Sequence, residues 1–437
     1  MKNSTTKDIA ASVPGAAPIH PSADRRQDAG LIALVGVAHA MSHFTQLLLA
    51  PLFPWLKDAF NVGYAELGFV LTVFFVVSCI VQAASGFWVD RFGPRPILYV
   101  GLGLLGLGAM GYAMSTSYAM LLASAVVAGV GNGVFHPADY TLFNRKVAPQ
   151  RLGHAYSVHG ITGSLGWALA PAFVVPLALA FSWQVALAAA GVLSWLVLLL
   201  VWVGRRFLDL PALAPAAGGT GGATQTDDSS FGFLKIPAVW MCFVFFFFYA
   251  TVLSVVQTYA PESARQLHAV PAQWAAICLT IYMVANASGM VVGGFLAADP
   301  NRCERIVATG FGAAAVVALV VGLMPLPAMA VPLLFGAMGL ASGLAGPSRD
   351  LIVKRAAPPN ATGRVYGVVY SGLDIGQAVA PLIFGVLMDH GRLHAIWIGL
   401  AAVQLVLITS AFRVRRARRT VLACLLYTSD AADDSLR

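Results

Sequence analysis

The sequence predicts an all-α membrane protein: twelve transmembrane helices in two pseudo-symmetric six-helix bundles. Three observations carry that prediction: a composition too apolar to face water, twelve runs of spanning length, and an internal repeat at a constant offset of 210 residues. Of the 437 residues, 58% are hydrophobic and 11% charged, with a mean hydropathy of +0.77. A soluble domain is about 25% charged, so lipid must be the main solvent. The 43 glycines and 24 prolines agree, because Gly permits close helix contact and Pro kinks are tolerated in spanning helices.

Residues 1–29 are polar and rich in Ala, Pro and Ser, and predict a disordered cytoplasmic tail with no signal-peptide pattern. Runs of about 20 mostly apolar residues then place helices 1–6 near 30–53, 66–89, 96–115, 118–142, 153–178 and 183–203, an N-terminal bundle over 30–206. Residues 207–232 contain GGTGGATQTDDSS and form a flexible cytoplasmic linker. Helices 7–12 follow near 237–258, 273–298, 306–324, 329–352, 364–388 and 394–412, a C-terminal bundle over 233–415. The basic tail 416–437 ends in VLACLLYTSDAADDSLR, which looks like a translated sequencing adapter and is set aside from function over 424–437.

Positive charge orients the chain. With the N-terminus inside, the outer loops hold Lys57, Arg265 and Arg392, and the rest of the 27 Lys and Arg fall on the cytoplasmic side. Both termini are therefore expected in the cytoplasm of a bacterial inner membrane. The net charge of +8 reflects topology beside anionic headgroups, and nucleic acid is not an expected partner. Cys79, Cys242, Cys278, Cys303 and Cys424 are scattered without a CxxC pair and read as small packing residues.

The halves are related. Residues 137–171 and 347–381 align without gaps, with ten of 35 positions identical, including Pro137/Pro347, Arg145/Arg355, Gly153/Gly363, Tyr156/Tyr366, Gly166/Gly376 and Pro171/Pro381. Pro51/Pro261 keep the same offset. Paired six-helix repeats are a transporter architecture, with substrate near the midplane at the repeat interface.

Between helices 2 and 3 lies a tight basic turn with Gly86, Asp90, Arg91, Gly93, Pro94 and Arg95. Gly86 suits close helix contact, Gly93 the turn, and Asp90 accepts from nearby Arg side chains, so the cluster is a candidate conformational latch. This loop resembles the G-x3-D-R-x-G-[RK]-[RK] signature of the major facilitator superfamily, with Pro94 at the first basic position. A degraded copy follows Gly294 with Asp299, Arg302 and Arg305. Within the superfamily, His39-x2-Ser42-His43-x2-Gln46 and Gly129-x-Gly131-x2-Val134-Phe135-His136-Pro137 are similar to the fosmidomycin-resistance group of exporters, which commonly has Asp where this chain has His43. The resemblance implies secondary active transport by alternating access. The expected activity is proton-coupled efflux of a small organic molecule, with import of a small organic acid by proton symport as the alternative. A monomer without a cofactor is expected.

Polar residues inside spans are functional candidates by default. Three sets at i, i+4, i+7 each share a helix face: His39, His43 and Gln46; Asn132, His136 and Asp139; and Tyr370, Asp374 and Gln377. Asp374 is a candidate proton carrier or substrate contact, or a structural hydrogen-bond partner. Imidazoles exchange protons near neutral pH, so His39 and His43 suit proton coupling or anion binding, or bond across helices as neutral rings. His136 precedes Pro137 and is open to serving the kink there; His159 is similarly ambiguous, and His154 belongs at the headgroups. Asp139 is expected to form a cytoplasmic gate pair with Arg145 or Arg151, as are Arg349 and Asp350 with each other. Gln257, Tyr282 and Asn286 are candidate wall residues, and Phe243 and Phe245–Phe248 are packing. A membrane-embedded enzyme with a metal on the histidines is the remotest alternative; no HExxH, no His-rich cluster with a carboxylate at metal spacing, no nucleophile elbow and no Walker motif is visible, so neither a metal site nor an enzyme is expected. The glycines of 129–133 lie inside a span and suit packing. Reading the full gene past Ala423 should replace the terminal string with different sequence; recovery of the same string would overturn the adapter reading.

Overall fold

The computed structural model describes residues 25–209, 237–296, 302–356 and 362–412. Twelve helices are long and apolar enough to span a membrane, and no strand occurs among the described residues. They are α1 (Arg25–Phe60), α2 (Tyr64–Phe92), α3 (Pro94–Ala113), α4 (Tyr118–Lys146), α5 (Leu152–Ala180), α6 (Trp183–Val203), α7 (Val239–Thr258), α8 (Ala272–Leu296), α9 (Cys303–Leu323), α10 (Ala330–Arg349), α11 (Tyr370–Asp389) and α12 (Leu393–Phe412). The chain is a multi-pass membrane protein. The expected tail over 1–24, the linker from 210, and the terminal segment from 416 lie outside the described residues.

The apolar runs locate every span; the structure adds breaks that prolines and glycines impose. Proline has no N–H to donate and crowds the preceding turn. α1 runs from Arg25 to Gln46, loosens, and resumes over Phe53–Phe60 after a 3-10 turn containing Pro51. α7 behaves alike: Pro261 lies in a separate short helix, Ala260–His268. Both short helices stop on a left-handed residue, Asn61 at φ 51° and Ala269 at φ 50°, so the two halves repeat their turns as well as their spans. α4 is interrupted between Asn132 and Phe135. Pro137 leaves the Gly133 carbonyl without its helical donor, and Ser85 Oγ on α2 donates to that carbonyl at 3.2 Å. His136 therefore does not serve the kink, contrary to one of its sequence readings; its ring turns toward α2 instead.

Close packing depends on glycine. Gly166 on α5 lies directly against the Ala40 carbonyl of α1, and Gly376 on α11 against the Phe247 carbonyl of α7. Gly129 and Gly133 on α4 abut the Phe74 and Ser78 carbonyls of α2, while Gly339 and Gly343 on α10 abut those of Tyr282 and Asn286 on α8. The glycines of these pairs keep the 210-residue offset and their carbonyl partners fall within three residues of it, so the repeat keeps backbone contact at matching places. Lipid tails are as apolar as the side chains they would replace, which leaves such van der Waals contact as a main source of helix association.

Gly86 is different. A methyl there would meet nothing within 4 Å, so the expected close helix contact at Gly86 is not made. Gly93, at φ 84°, does supply the turn between α2 and α3.

Gly166→Ala and Gly376→Ala are each expected to cost about 1–3 kcal/mol through overpacking against backbone, seen as a lower thermal unfolding midpoint in detergent. Gly160→Ala, where the space is open, should be neutral or stabilising. Equal behaviour of all three variants would refute the packing assignment.

Candidate functional site

The N-terminal bundle brings four imidazoles and one carboxylate together. α1 contributes His39 and His43, α4 contributes His136 and Asp139, and α5 contributes His159. His39 and His159 stack with ring centroids 3.5 Å apart. His43 lies 4.4 Å from His39, and His136 5.3 Å from His39. His159 Nε2 is 3.0 Å and His39 Nδ1 3.2 Å from the same oxygen, Asp139 Oδ2. His39, Asp139 and His159 are buried, while His43 and His136 are half-buried.

Two expectations are thereby corrected. Asp139 is not a gate partner of Arg145 or Arg151; it is 0% exposed and turned to the histidines. The arginines have other acids. Arg151 Nη2 lies 2.6 Å from Asp28, which also accepts from the Ala148 backbone N–H, and Arg145 lies 3.8 Å from Asp90. Asp28 fell in the expected tail, but it is buried in the first turn of α1. The second correction concerns His-rich clustering. The donors are dispersed over three helices, so local spacing could not show that His39, Asp139 and His159, or His39, His43 and His136, converge with ligand atoms within 4.8 Å of one another.

Beside the cluster, Asn132 is a hydrogen-bonding hub. Its Oδ1 accepts from Ser42 Oγ at 2.7 Å and Gln46 Nε2 at 3.1 Å, and its Nδ2 donates to Ser78 Oγ at 2.8 Å. Gln46 Oε1 accepts from Trp167 Nε1 at 3.0 Å, and the Trp167 ring lies 4.2 Å from His43. α1, α2, α4 and α5 are thus tied together around the imidazoles.

One chain of polar contacts leaves this bundle. His136 Nδ1 meets Gln82 Oε1 at 2.8 Å, and Gln82 Nε2 donates to Asp374 Oδ2 on α11 at 3.2 Å. Tyr370 lies across from His136, with ring centroids 6.1 Å apart. Gln82 was absent from the sequence candidates, because a lone Gln carries no pattern; its position on α2 beside the α4 break could have raised it. Gln257 and Gln377 bond each other at 3.4 Å, buried inside the C-terminal bundle. Tyr282 is buried, and Asn286 donates to the Gly339 carbonyl at 3.4 Å, so both serve the α8–α10 contact. Arg349 lies over Tyr249 at 4.3 Å and Phe246 at 5.5 Å; the side chain of its expected partner Asp350 lies outside the described residues. In the α2–α3 turn, Arg91 lies over Phe92, and Arg95 pairs with Asp209.

The bundles meet along α2 and α11, most densely at the end opposite that turn. Asp389 Oδ1 and Oδ2 accept from the backbone N–H groups of Tyr64 and Ala65 at 2.7 and 2.8 Å. One bundle thus supplies the anionic cap that the first turn of α2 needs. Tyr259 Oη donates to the Pro381 carbonyl of its own bundle at 3.0 Å and reaches the Tyr64 carbonyl of the other at 3.5 Å, Tyr64 Oη reaches Glu262 at 3.3 Å, and Thr72 Oγ1 donates to the Ala378 carbonyl at 2.6 Å. Phe53 packs edge-on to Tyr259. Glu262 also takes two bonds from Arg265, both 2.7 Å, which raise the guanidinium above its ordinary pKa. The predicted turn at Asp90 makes its acid pair within one bundle, whereas Asp389, which no motif marked, is among the residues that join the two.

Two opposed helical bundles enclosing a buried polar path define a membrane transporter fold. The chain belongs to the Major Facilitator Superfamily, which it matches over residues 35–348. It is 25% identical over 146 residues to the fosmidomycin resistance protein of Escherichia coli, covering 33% of this chain and 36% of that relative's length. It is 21% identical over 382 residues to the hexuronate transporter of Bacillus subtilis, covering 82% and 88%. A solved structure of a bacterial homologue of the human lysosomal transporter Spinster, inward-facing and occupied, superposes with a TM-score of 0.72 at 14% identity, covering 90% and 98%.

Asp389→Ala is expected to release the α2 cap and loosen this end by about 1 kcal/mol, roughly a fivefold shift in population. Spin labels at the exposed positions Asp58 and His390 in a cysteine-free background should report a larger share of long distances; an unchanged distribution would show that Asp389 does not hold the bundles.

Proposed function

We propose that the protein is a secondary active transporter that exports a small organic molecule across the bacterial inner membrane by alternating access, with proton coupling through Asp374. The observation that carries this reading is the Gln82–Asp374 hydrogen bond between the bundles. Asp374 lies fifteen residues from Asp389, roughly 22 Å along the helix, well inside the hydrocarbon thickness of about 30 Å. Intramembrane carboxyls of this kind mark ion and proton paths. When the bundles rock apart along α2 and α11, Asp374 must exchange its Gln82 contact for another, so its charge and the conformation are linked.

The excess of Lys and Arg supports an orientation with the Asp90 turn in the cytoplasm and the Asp389 cap outside. The bonds gathered at Asp389 then support an inward-facing state, the state of the solved Spinster homologue. His43, His136, Tyr370 and Gln82 form the polar wall that a substrate would meet. Similarity to the fosmidomycin resistance protein supports export of a drug-like or anionic molecule. Similarity to the hexuronate transporter over most of both chains favours a second reading, import of a small organic acid by proton symport.

Proteoliposomes with an imposed pH gradient separate the two readings, using fosmidomycin and a hexuronate as probes. Under the proposal, an outward-directed substrate flux follows inward proton movement, and Asp374→Asn abolishes gradient-driven transport while the protein stays folded. Normal coupled transport by Asp374→Asn would sink the assignment, and gradient-driven uptake of the hexuronate would replace export with import.

A further inference from the structure

Beyond transport, we infer that His39, Asp139 and His159 form a binding site for a divalent first-row transition-metal ion inside the N-terminal bundle. The geometry is specific. Two imidazole nitrogens on different helices approach one carboxylate oxygen at 3.2 and 3.0 Å. Around a tetrahedral ion with bonds of about 2.0–2.1 Å, donors sit about 3.4 Å apart. Convergence of three donors from α1, α4 and α5 is therefore close to what coordination requires.

The hydrogen bonds of the site are incomplete. Asp139 Oδ1 and His43 Nδ1 are buried without a hydrogen-bond partner, and His39 Nδ1, although 3.2 Å from Asp139 Oδ2, makes no hydrogen bond to it. Buried polar atoms are nearly always paired, so three orphans in one cluster call for a ligand that accepts lone pairs. A cation does so for imidazole and carboxylate together. Two nitrogens and a carboxylate oxygen suit Zn²⁺, Co²⁺ or Ni²⁺ over Mg²⁺ or Ca²⁺, which prefer oxygen donors.

The surroundings also fit. Gly163 faces the imidazoles: a methyl there would come within 2.8 Å of His43 and 3.1 Å of His39 Nε2. A side chain at this position would fill the space beside the rings. The half-buried His136 lies between His39 and the Gln82–Asp374 contact, and offers an intermediate nitrogen donor on the way in.

Purified full-length protein in detergent, with any affinity tag removed and stripped by chelator, provides the test. Titration with Zn²⁺ and Co²⁺ by calorimetry should show one equivalent per chain. Asp139→Asn and His159→Gln should each weaken binding by at least about 100-fold, while His154→Gln, at an exposed position, should not change it. Absence of saturable binding, or binding that persists in Asp139→Asn, would overturn the site; so would loss in His43→Gln with retention in Asp139→Asn. Should the Asp139 and His159 variants fail to fold, X-ray absorption of cobalt-loaded wild type decides, with imidazole and carboxylate donors at about 2.0–2.2 Å expected and an all-oxygen shell refuting the site. Transport assayed in chelator-treated vesicles reads the Asp374 proposal separately, so either can fail alone.

Discussion

Lipid offers no hydrogen bonds, and every polar group inside the span must find a partner within the protein. That constraint organises the structure. It sends Ser85 to the carbonyl that Pro137 strands. It brings Ser254 Oγ on α7 to the Gln377 carbonyl, which Pro381 deprives of its donor in the same way, at 3.4 Å. It gathers four helices around Asn132, and it places the α2 N-terminus under the carboxylate of Asp389. The His39–Asp139–His159 cluster meets the constraint incompletely, as do Gln257 and Gln404 elsewhere: its side chains are buried and its hydrogen bonds unfinished.

The helix count, the two bundles and their homology were legible because hydropathy and Gly/Pro spacing are local signals that survive in one dimension. The i, i+4, i+7 faces were legible for the same reason, and they named His39, His43, His136, Asp139 and Asp374 before any contact was known. What could not be read was which face meets which. Asp139 has basic residues six and twelve positions away in sequence, so a gate pair was the natural expectation. In three dimensions Arg151 is claimed by Asp28, more than a hundred residues earlier, and Asp139 is left to α1 and α5. Asp389 and Gln82 escaped notice because their partners lie in the other bundle.

The repeat also shows where the halves parted. At the 210-residue offset Asp139 corresponds to Arg349 and His39 to Tyr249. Each pair is in contact, one as carboxylate and imidazole, the other as guanidinium and phenol ring. Ser164 corresponds likewise to Asp374. Ser164 Oγ reaches Met290 Sδ on α8 at 3.8 Å, as Asp374 reaches Gln82 on α2. The scaffold is thus twofold, while its chemistry is not: one seam carries an acid and an amide, the other a hydroxyl and a thioether. Backbone contacts were kept by the glycines on which both bundles depend, and side chains at the same positions were free to diverge.

Gln82 gives this asymmetry a further consequence. Its amide accepts at one end and donates at the other, yet it does not itself take up or release protons near neutral pH. Placed between His136 and Asp374, it bonds both without carrying a charge of its own. The histidine cluster and the carboxyl are joined through this one planar group, whose rotation would break both bonds at once. A single amide thus ties the histidines of one bundle to the carboxyl of the other.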